Sequence, residues 1–329
     1  MLDHQLDRRN LMSAGFLCAA ASALTASPCC AMAANATPIG GKGYGLQPLG
    51  DGLYFVTDGG YNTMFLVTDA GVVAIDAPPS LGARYLTAIA EVTDKPVTHL
   101  IYSHEHVDHI SAAGLFAASR PQIIACRQTA DRLAQRKDPN RPLPTVVWDG
   151  SRRLDVGGKV LELSWRGINH SVDTTFIHAP AQRTVMVVDV VYPGWMPYKN
   201  LGVAIDIPGL VDAHYTLLDY DFDTLVAGHV GGPGTRADVT TALDLLKDLA
   251  TAAEHAYAAL PLPAYLVTPG TGTTWERHND YEQRLVDRMV ADIRPKWIDR
   301  LGGVDFYLRD NCWAMLETFV VQGRPNFRS

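Results

Sequence analysis

From residue 52 onward the chain begins with short apolar runs, each closed by turn residues. Residues 53–56, 64–67 and 72–76 are rich in aromatic or β-branched side chains, and the turns Asp58-Gly59-Gly60 and Asp69-Ala70-Gly71 separate them. Such runs are typical of strands, and the short turns between them indicate that neighbouring strands pair. The hydrophobic pattern therefore predicts an opening meander of three strands.

After this meander, segments with apolar residues at helical spacing alternate with short, continuous apolar runs. Residues 81–92, 110–118 and 128–135 place apolar side chains at helical spacing, whereas residues 97–102 and 122–126 are short apolar runs typical of buried strands. Strands alternating with helices are typical of an α/β domain in which helices pack on a sheet. We therefore predict an α/β fold class.

Two later apolar runs extend the strand pattern into the second half. Residues 160–165 and 184–191 are predicted strands, and the proline- and charge-rich residues 137–144 before them are predicted to form a surface loop. One carboxylate, Asp189, interrupts the second run. An ionised carboxylate in a buried strand is unfavourable without a compensating cation. Asp189 is therefore expected either to bind a cation or to cap the turn that follows.

After Pro233-Gly234 the pattern becomes mainly helical. Thr235 is a plausible cap for the first helix, and Pro295 is expected to kink or break the second. The predicted helices are residues 237–260, 275–301 and 306–321. This extension can cover a sheet edge, complete a substrate cleft or build an oligomer interface, as in a homodimer. The sequence leaves these roles and the oligomeric state open.

The N-terminal segment has the composition of an export signal. Arg8-Arg9 precedes the apolar residues 14–24, and small residues at 31–36 offer cleavage sites. The arginine pair resembles a twin-arginine signal, and the apolar run is too short and alanine-rich to span a bilayer comfortably. Residues 1–36 are therefore predicted to be cleaved, leaving a periplasmic or secreted chain with no stable membrane anchor.

Composition limits the partners. The formal net charge is -7, 47% of the residues are hydrophobic, and no basic run stands out. A nucleic-acid backbone is therefore not expected as a partner, and a small-molecule substrate is. After signal cleavage Cys126 and Cys312 remain, either as one disulfide or as buried free thiols.

The most closely spaced potential metal ligands follow the strand at residues 97–102, where the sequence is Ser-His-Glu-His-Val-Asp-His. His104 and His106 alternate as strand residues do, so both imidazoles can face one ion. Asp108 and His109 follow the bend into a helix and can bind a second ion. Nitrogen and oxygen donors at this spacing predict a metal centre rather than an ordinary polar loop.

The His-x-His-x-Asp-His motif after an apolar strand resembles the signature of the metallo-β-lactamase superfamily. The resemblance extends from about residue 45 to about residue 235. It implies an αββα sandwich of two sheets flanked by helices, formed here by residues 37–235. Residues 236–329 would then form a helical C-terminal extension packed on this core.

The resemblance also implies the remaining ligands. His170 lies in a loop after the strand at residues 160–165, and His229 follows Gly228 at the end of an apolar run. The implied set is a triad for each of two ions plus a shared carboxylate: His104, His106 and His170; Asp108, His109 and His229; and Asp189. Zn²⁺ is the default for two such sites, with iron or manganese as alternatives.

Asp76 and the histidines outside the proposed ligand set are predicted to have supporting or purely structural roles. Asp76 ends the third predicted strand and either orients a ligand histidine or caps the helix that begins near residue 81. His99 and His178 are expected in the core or beside the ligands. Three histidines on helical stretches are expected to be solvated: His214, His255 and His278.

Aromatic residues follow Asp189 closely in an irregular, proline-containing segment. Tyr192, Trp195 and Tyr198 are predicted to form an apolar substrate-binding wall at the cleft mouth, and Tyr61 in the first hairpin turn is a second candidate. The alternative is a lid packed on the protein's own core.

The resemblance implies a hydrolase that uses two ions to activate water, with Asp108 as the catalytic proton shuttle. The expected substrate is a small carbonyl compound: an ester, lactone, thioester or lactam. The same centre can hydrolyse phosphoesters or sulfate esters, or displace an aryl halide, and an iron-containing version can support redox chemistry. A metal-stabilised binding protein without turnover is a third class, which retention of every expected ligand argues against.

Overall fold

The computed structural model describes residues 36–267 and 272–328. The predicted export signal lies outside the described residues except for its final position, Ala36. Within the described ranges, no helix is long and apolar enough to cross a membrane.

Seven strands form the first sheet in their order along the chain. The first four form an antiparallel meander, and the last three each pair parallel to the preceding strand because helical segments return the chain between them. The predicted three-strand opening is confirmed as β2 to β4. The strands are β1 (Gly45–Gly50), β2 (Leu53–Thr57), β3 (Asn62–Thr68), β4 (Gly71–Ile75), β5 (Val97–Ile101), β6 (Gln122–Cys126) and β7 (Val146–Trp148).

Five strands form the second sheet, in the order β12-β11-β10-β9-β8. They are β8 (Ser151–Val156), β9 (Lys159–Trp165), β10 (Thr175–Ala179), β11 (Thr184–Met186) and β12 (Thr224–Val226). The prediction of a strand through residue 191 is wrong, because β11 ends at Met186. Asp189 then has a φ of 63°, in the left-handed region that an extended strand cannot contain.

The two sheets bury their facing sides against each other. Phe55, Ile75 and Ile101 of the first sheet share one apolar cluster with Leu161 and Ile177 of the second. The outer side of the first sheet packs on α1 and its neighbours, and the outer side of the second packs on the C-terminal helices. The layers therefore form the predicted αββα sandwich with a helical C-terminal region.

Nine helices are described within these ranges, of which one, α4, is a left-handed turn. Residues 110–118 were predicted as one helix, but α2 stops early and a separate 3-10 helix, Ala113–Ser119, follows it. The helices are α1 (Ala83–Ala90), α2 (Val107–Ile110), α3 (Arg127–Arg136), α4 (Lys199–Val203), α5 (Ile207–Asp219), α6 (Arg236–Ala259), α7 (Leu262–Val267), α8 (Thr274–Trp297) and α9 (Val304–Val321).

The C-terminal helices begin largely as predicted. Thr235 and Asp238 form a reciprocal capping box at the start of α6. The expected break at Pro295 is wrong, because α8 continues to Trp297. The Trp297 side chain is fully buried and its indole Nε1 donates to Asp248 at 2.8 Å, which fixes the last turn of the helix.

Cys126 and Cys312 are both buried free thiols. They belong to different apolar clusters, one between the sheets and one among the C-terminal helices. Burial raises the pKa of both thiols, that of Cys312 to about 12, so both are held in the protonated form at neutral pH.

His214 lies inside the protein rather than in solvent, which corrects the expectation from the helical pattern. Its side chain in α5 is 1% exposed, and Nδ1 donates to the Leu210 carbonyl at 2.7 Å. Burial lowers the pKa of His214 to about 4, although the hydrogen bond to Leu210 opposes this shift. The folded protein therefore holds His214 neutral where the unfolded chain would protonate it.

We expect His214 to make the protein less stable in mild acid. Its folded-state pKa lies below the unfolded value, so stability is complete above about pH 6.5 and falls as the pH drops towards 4, by up to about 3 kcal/mol. Urea unfolding of His214→Gln from pH 7 to 4.5 should show a correspondingly weaker pH dependence. The same change at the exposed His255 should leave the pH dependence as it is in the unaltered protein; equal curves for all three proteins would contradict the prediction.

Candidate metal centre

Five chain segments bring the predicted ligands to one edge of the sandwich. His104 and His106 lie in the loop after β5, and α2 carries Asp108 and His109. The other three follow or connect strands of the second sheet: His170 between β9 and β10, Asp189 after β11, and His229 after β12. All seven predicted residues therefore meet at the ends of parallel or adjacent strands.

The first group contains three imidazoles and one carboxylate. His104, His106, His170 and Asp189 each offer a ligand atom within 4.8 Å of the others. His170 Nε2 lies 3.1 Å from His106 Nδ1 and 3.3 Å from Asp189 Oδ2. His104 Nε2 lies 3.7 Å from the same carboxylate oxygen. These four atoms surround a space of the size that one cation occupies.

The second group is formed by Asp108, His109 and His229. His109 Nε2 lies 3.2 Å from His229 Nε2 and 3.5 Å from Asp108 Oδ2. Asp189 connects the two groups, because its Oδ2 is 3.1 Å from His109 and its Oδ1 is 3.1 Å from His229. The shared carboxylate is the one implied by the resemblance.

The donor atoms fit a pair of divalent cations. His104 Nε2 is buried and has no hydrogen-bond partner among the described residues, and buried polar atoms are rarely left in that state. Burial opposes ionisation of Asp189, but His109, His229 and His170 hold its pKa well below the usual range. Imidazole nitrogens and an ionised carboxylate are the donors that zinc, iron or manganese bind.

Neighbouring groups orient two of the imidazoles and hold the backbone of a third ligand. Ser103 Oγ lies 2.9 Å from His104 Nδ1, and the Gly60 carbonyl lies 3.3 Å from His229 Nδ1. These contacts leave the Nε2 atoms of both histidines facing the centre. The Ala77 N–H donates to the carbonyl of His109 at 2.8 Å and holds the first turn of α2 against the end of β4.

Asp76 supports the loop after β5 rather than a helix. Its Oδ1 accepts a hydrogen bond from the Ser103 N–H at 2.7 Å, whereas α1 has Gly82 at its N-cap position. Burial raises the pKa of Asp76 to about 7, although His109 opposes this shift. Of the two interpretations that the sequence left open, the structure excludes the helix cap and places the carboxylate beside the ligand loop.

A buried ion pair that the sequence did not predict holds the same loop. Glu105, between two of the ligand histidines, is 6% exposed, and Arg141 in the loop predicted to lie on the surface is 7% exposed. Arg141 Nη1 donates to Glu105 Oε2 at 2.9 Å and also to the Glu105 carbonyl. The acidic residue within the motif was the available signal, but its partner comes from a distant loop.

Gly228 lies where the chain before His229 passes very close to Val188 and Asp189. A Cβ at this position would lie 2.5 Å from Val188 Cγ1 and 2.8 Å from Asp189 Oδ1. No side chain fits there, so glycine lets the His229 backbone approach the shared carboxylate.

The centre forms the floor of a cavity of about 440 Å³. All four predicted wall residues line it: Tyr61, Tyr192, Trp195 and Tyr198. Two wall residues were not predicted: Val203 in α4, just after Tyr198, and Tyr307 in α9, more than 100 positions farther along the chain. Among the described residues that line the cavity, none is lysine or arginine.

Tyr61 is the wall residue nearest the second group. The Tyr61 hydroxyl donates to Asp108 Oδ2 at 3.3 Å, and its ring lies 4.4 Å from the His229 ring. Burial, followed by the Asp108 charge, raises the pKa of Tyr61 to about 12. The hydroxyl therefore remains protonated and can donate a hydrogen bond inside the cavity.

The other histidines in the described part of the chain lie outside both ligand groups. His178 is nearly buried and contacts Glu162 and the Asp221 carbonyl, and His99 is half-buried beside Thr98. His255 is exposed as expected, and His278 is half-buried and lies 3.0 Å from Glu282.

The chain belongs to the metallo-beta-lactamase superfamily, whose family model matches residues 56–253, more than half of the chain. This confirms the resemblance drawn from the His-x-His-x-Asp-His motif. Members of the superfamily are generally enzymes with a His/Asp metal site, and the clusters described above place this chain among its hydrolase-like, metal-binding members.

Two relatives show sequence similarity over about half of the chain. It is 29% identical over 187 residues to the 2,4-dinitroanisole O-demethylase subunit alpha of Nocardioides sp. (strain JS1661), covering 56% of each chain. It is 25% identical over 169 residues to the metallo-beta-lactamase type 2 of Elizabethkingia meningoseptica, covering 48% of this chain and 65% of the relative. The alignments thus span less than two thirds of either relative.

Two solved structures share the fold. The metallo-beta-lactamase from Pontibacter korlensis superposes with a TM-score of 0.52 and metallo-beta-lactamase IND-7 with 0.53, each at 19% identity. Both superpositions cover 62% of this chain but 99% and 98% of the other. The remaining part of this chain is therefore additional to the shared sandwich.

Proposed function

We propose that the protein is a dinuclear metallohydrolase that acts on a small, neutral carbonyl compound: an ester, lactone, thioester or lactam. One observation carries the proposal. Two ligand groups joined by Asp189 form the floor of a cavity whose walls are aromatic and whose described lining residues include no cationic side chain. An anionic substrate would find no side-chain charge partner in such walls, whereas an uncharged one needs none.

In this proposal His104, His106 and His170 hold one cation, Asp108, His109 and His229 hold the other, and Asp189 contacts both. When bound, the two cations supply hydroxide near neutral pH and polarise the bond under attack. Zinc suits the donor set best, with iron or manganese as alternatives.

Side chains of the protein would then transfer the proton and position the substrate. The Asp108 carboxylate is partly exposed towards the cavity and is placed to hold the proton that the leaving group requires. The Tyr61 hydroxyl, already hydrogen-bonded to Asp108, orients that carboxylate. Tyr192, Trp195 and Tyr198 exclude water and position an apolar substrate.

A hydrolysis screen of the metal-loaded protein tests this function. We expect turnover of at least one chromogenic lactam, lactone or ester, and we expect Asp108→Ala or His170→Ala to lower it by at least about 100-fold. His255→Ala, at an exposed position of α6, is the matched control and should retain full turnover. Activity confined to phosphodiesters would refute the carbonyl preference, and inactivity on every compound would refute the hydrolase.

A neutral nitroaryl ether is a second candidate substrate, because one relative is named as a 2,4-dinitroanisole O-demethylase subunit. The aromatic walls accommodate such a ring as well as they accommodate an aryl ester. Hydrolysis would consume one water and release 2,4-dinitrophenol and methanol. Adding 2,4-dinitroanisole to the screen and following dinitrophenolate absorption separates this candidate from the carbonyl compounds.

Metal analysis distinguishes hydrolysis from the remaining alternatives. Two zinc ions per chain with turnover would support the hydrolase. One iron per chain without Asp189 ligation would favour redox chemistry, and bound metal without any turnover would favour a binding protein.

A further inference from the structure

The segment between the aromatic wall and α5 has an unfavourable backbone. In α4, φ is 53° at Asn200, 54° at Leu201, 72° at Gly202 and 52° at Val203. Glycine adopts left-handed backbone freely, but residues with a Cβ do not, and a β-branched valine least of all. Three of these four residues carry a Cβ, and they therefore need external contacts to remain in this turn.

Asn311 supplies such contacts from the middle of α9. Its side chain is 0% exposed; Oδ1 accepts a hydrogen bond from the Leu201 N–H at 2.7 Å, and Nδ2 donates to the Pro197 carbonyl at 2.9 Å. A buried amide within a helix is unfavourable unless it is hydrogen-bonded. Both polar atoms of the Asn311 side chain are therefore satisfied, one by Leu201 within the left-handed turn and the other by Pro197 just before it.

The turn forms part of the cavity wall. Gly202 and Val203 line the cavity together with Tyr198. A Cβ at Gly202 would lie 2.4 Å from the Tyr192 hydroxyl, so the aromatic wall packs directly on the turn. Just beyond the turn, the Ile205 N–H donates to the carbonyl of His170 at 3.2 Å. A shift of the turn would therefore change the shape of the cavity beside the proposed centre.

We propose that Asn311 is a positioning residue that holds the left-handed turn and so sets which substrates the cavity accepts. By this route α9, which lies beyond the residues matched by the family model, influences specificity through Asn311 as well as through Tyr307 in the cavity wall. The kinetic part of this inference rests on the proposed hydrolytic function, whereas the structural part does not.

Hydrogen exchange of the full-length, metal-loaded protein tests the structural part. In Asn311→Ala, peptides covering residues 198–205 should exchange at least about tenfold faster, because the Leu201 N–H loses its acceptor. Cys312→Ala is the matched control: this neighbour in α9 is also fully buried, but the hydrogen bonds that hold the turn come from Asn311 and not from this thiol. The control should leave exchange in these peptides unchanged even if it lowers the melting temperature.

Kinetics on a substrate from the hydrolysis screen test the effect on specificity. Asn311→Ala should raise KM by about fivefold or more, change kcat less than about twofold and leave the metal content unchanged. Adding Asn200→Gly, which makes left-handed backbone intrinsically favourable at that position, should recover part of the loss.

Three results would overturn the inference. Unchanged exchange in Asn311→Ala would show that the turn does not depend on this side chain. An unchanged KM, or an equal rise in Cys312→Ala, would show that the turn does not set substrate fit. Inactivity of the unaltered protein on every compound would overturn the proposed function and the kinetic part together, while the exchange rates would still decide the structural part.

Discussion

Asp189→Asn is expected to lower kcat/KM by at least about 10³ and to reduce the bound metal below two ions per chain. The carboxylate oxygens of Asp189 approach both ligand groups, at 3.1 Å from His109 and from His229 and 3.3 Å from His170. An amide keeps the shape of the side chain but removes the negative charge that both cations would share. Metal analysis by mass spectrometry, together with steady-state kinetics, measures both effects.

Asp223→Asn is the matched control for this change. Asp223 is an exposed aspartate whose Oδ2 accepts a hydrogen bond from Arg183 at 2.7 Å, and this arginine is not one of the proposed ligands. The control should retain two ions and full turnover. If Asp189→Asn also bound two ions and remained active, the shared carboxylate would have no role in the centre.

Arg141→Met is expected to lower the free energy of unfolding by about 3 kcal/mol. The change leaves the Glu105 carboxylate buried without its closest cation, and the partners that remain, Arg132 at 3.2 Å and Arg136 at 3.8 Å, are much more exposed to solvent. Urea unfolding measures the loss. Since Arg141 also holds the Glu105 carbonyl between two ligand histidines, weaker metal binding should accompany it.

A double variant distinguishes the effect of removing the whole Arg141–Glu105 ion pair from the effect of removing Arg141 alone. Arg141→Met combined with Glu105→Met should recover much of the stability, because the double variant also removes the buried carboxylate that has lost its closest cation. Arg127→Met is the surface control; its partner Asp149 is also exposed, and its loss should cost less than about 1 kcal/mol. A loss for Arg141→Met no larger than this would contradict the structural role given to the buried pair.

Much of the sandwich could be predicted from the sequence because its signals are local. β2, β3 and β4 follow from apolar runs closed by Gly-containing turns, and α6 from a helical period with a threonine cap. The errors arose where tertiary contacts override local preference. A buried Trp297 keeps α8 intact through Pro295, and the close-packed ligand groups turn Asp189 out of a strand.

For the candidate site, the sequence determined which types of metal-binding side chain are present. The clustered motif, an isolated carboxylate and a Gly-His pair can all be recognised without knowing the fold. Only the tertiary structure decided which groups meet. The Arg141 contact to Glu105, the Tyr307 contribution to the cavity and the Asn311 contacts to α4 join residues that lie far apart in the sequence. Hydrophobic periodicity records which side of an element is buried, but not which distant segment covers it, and this is why these contacts could not be predicted.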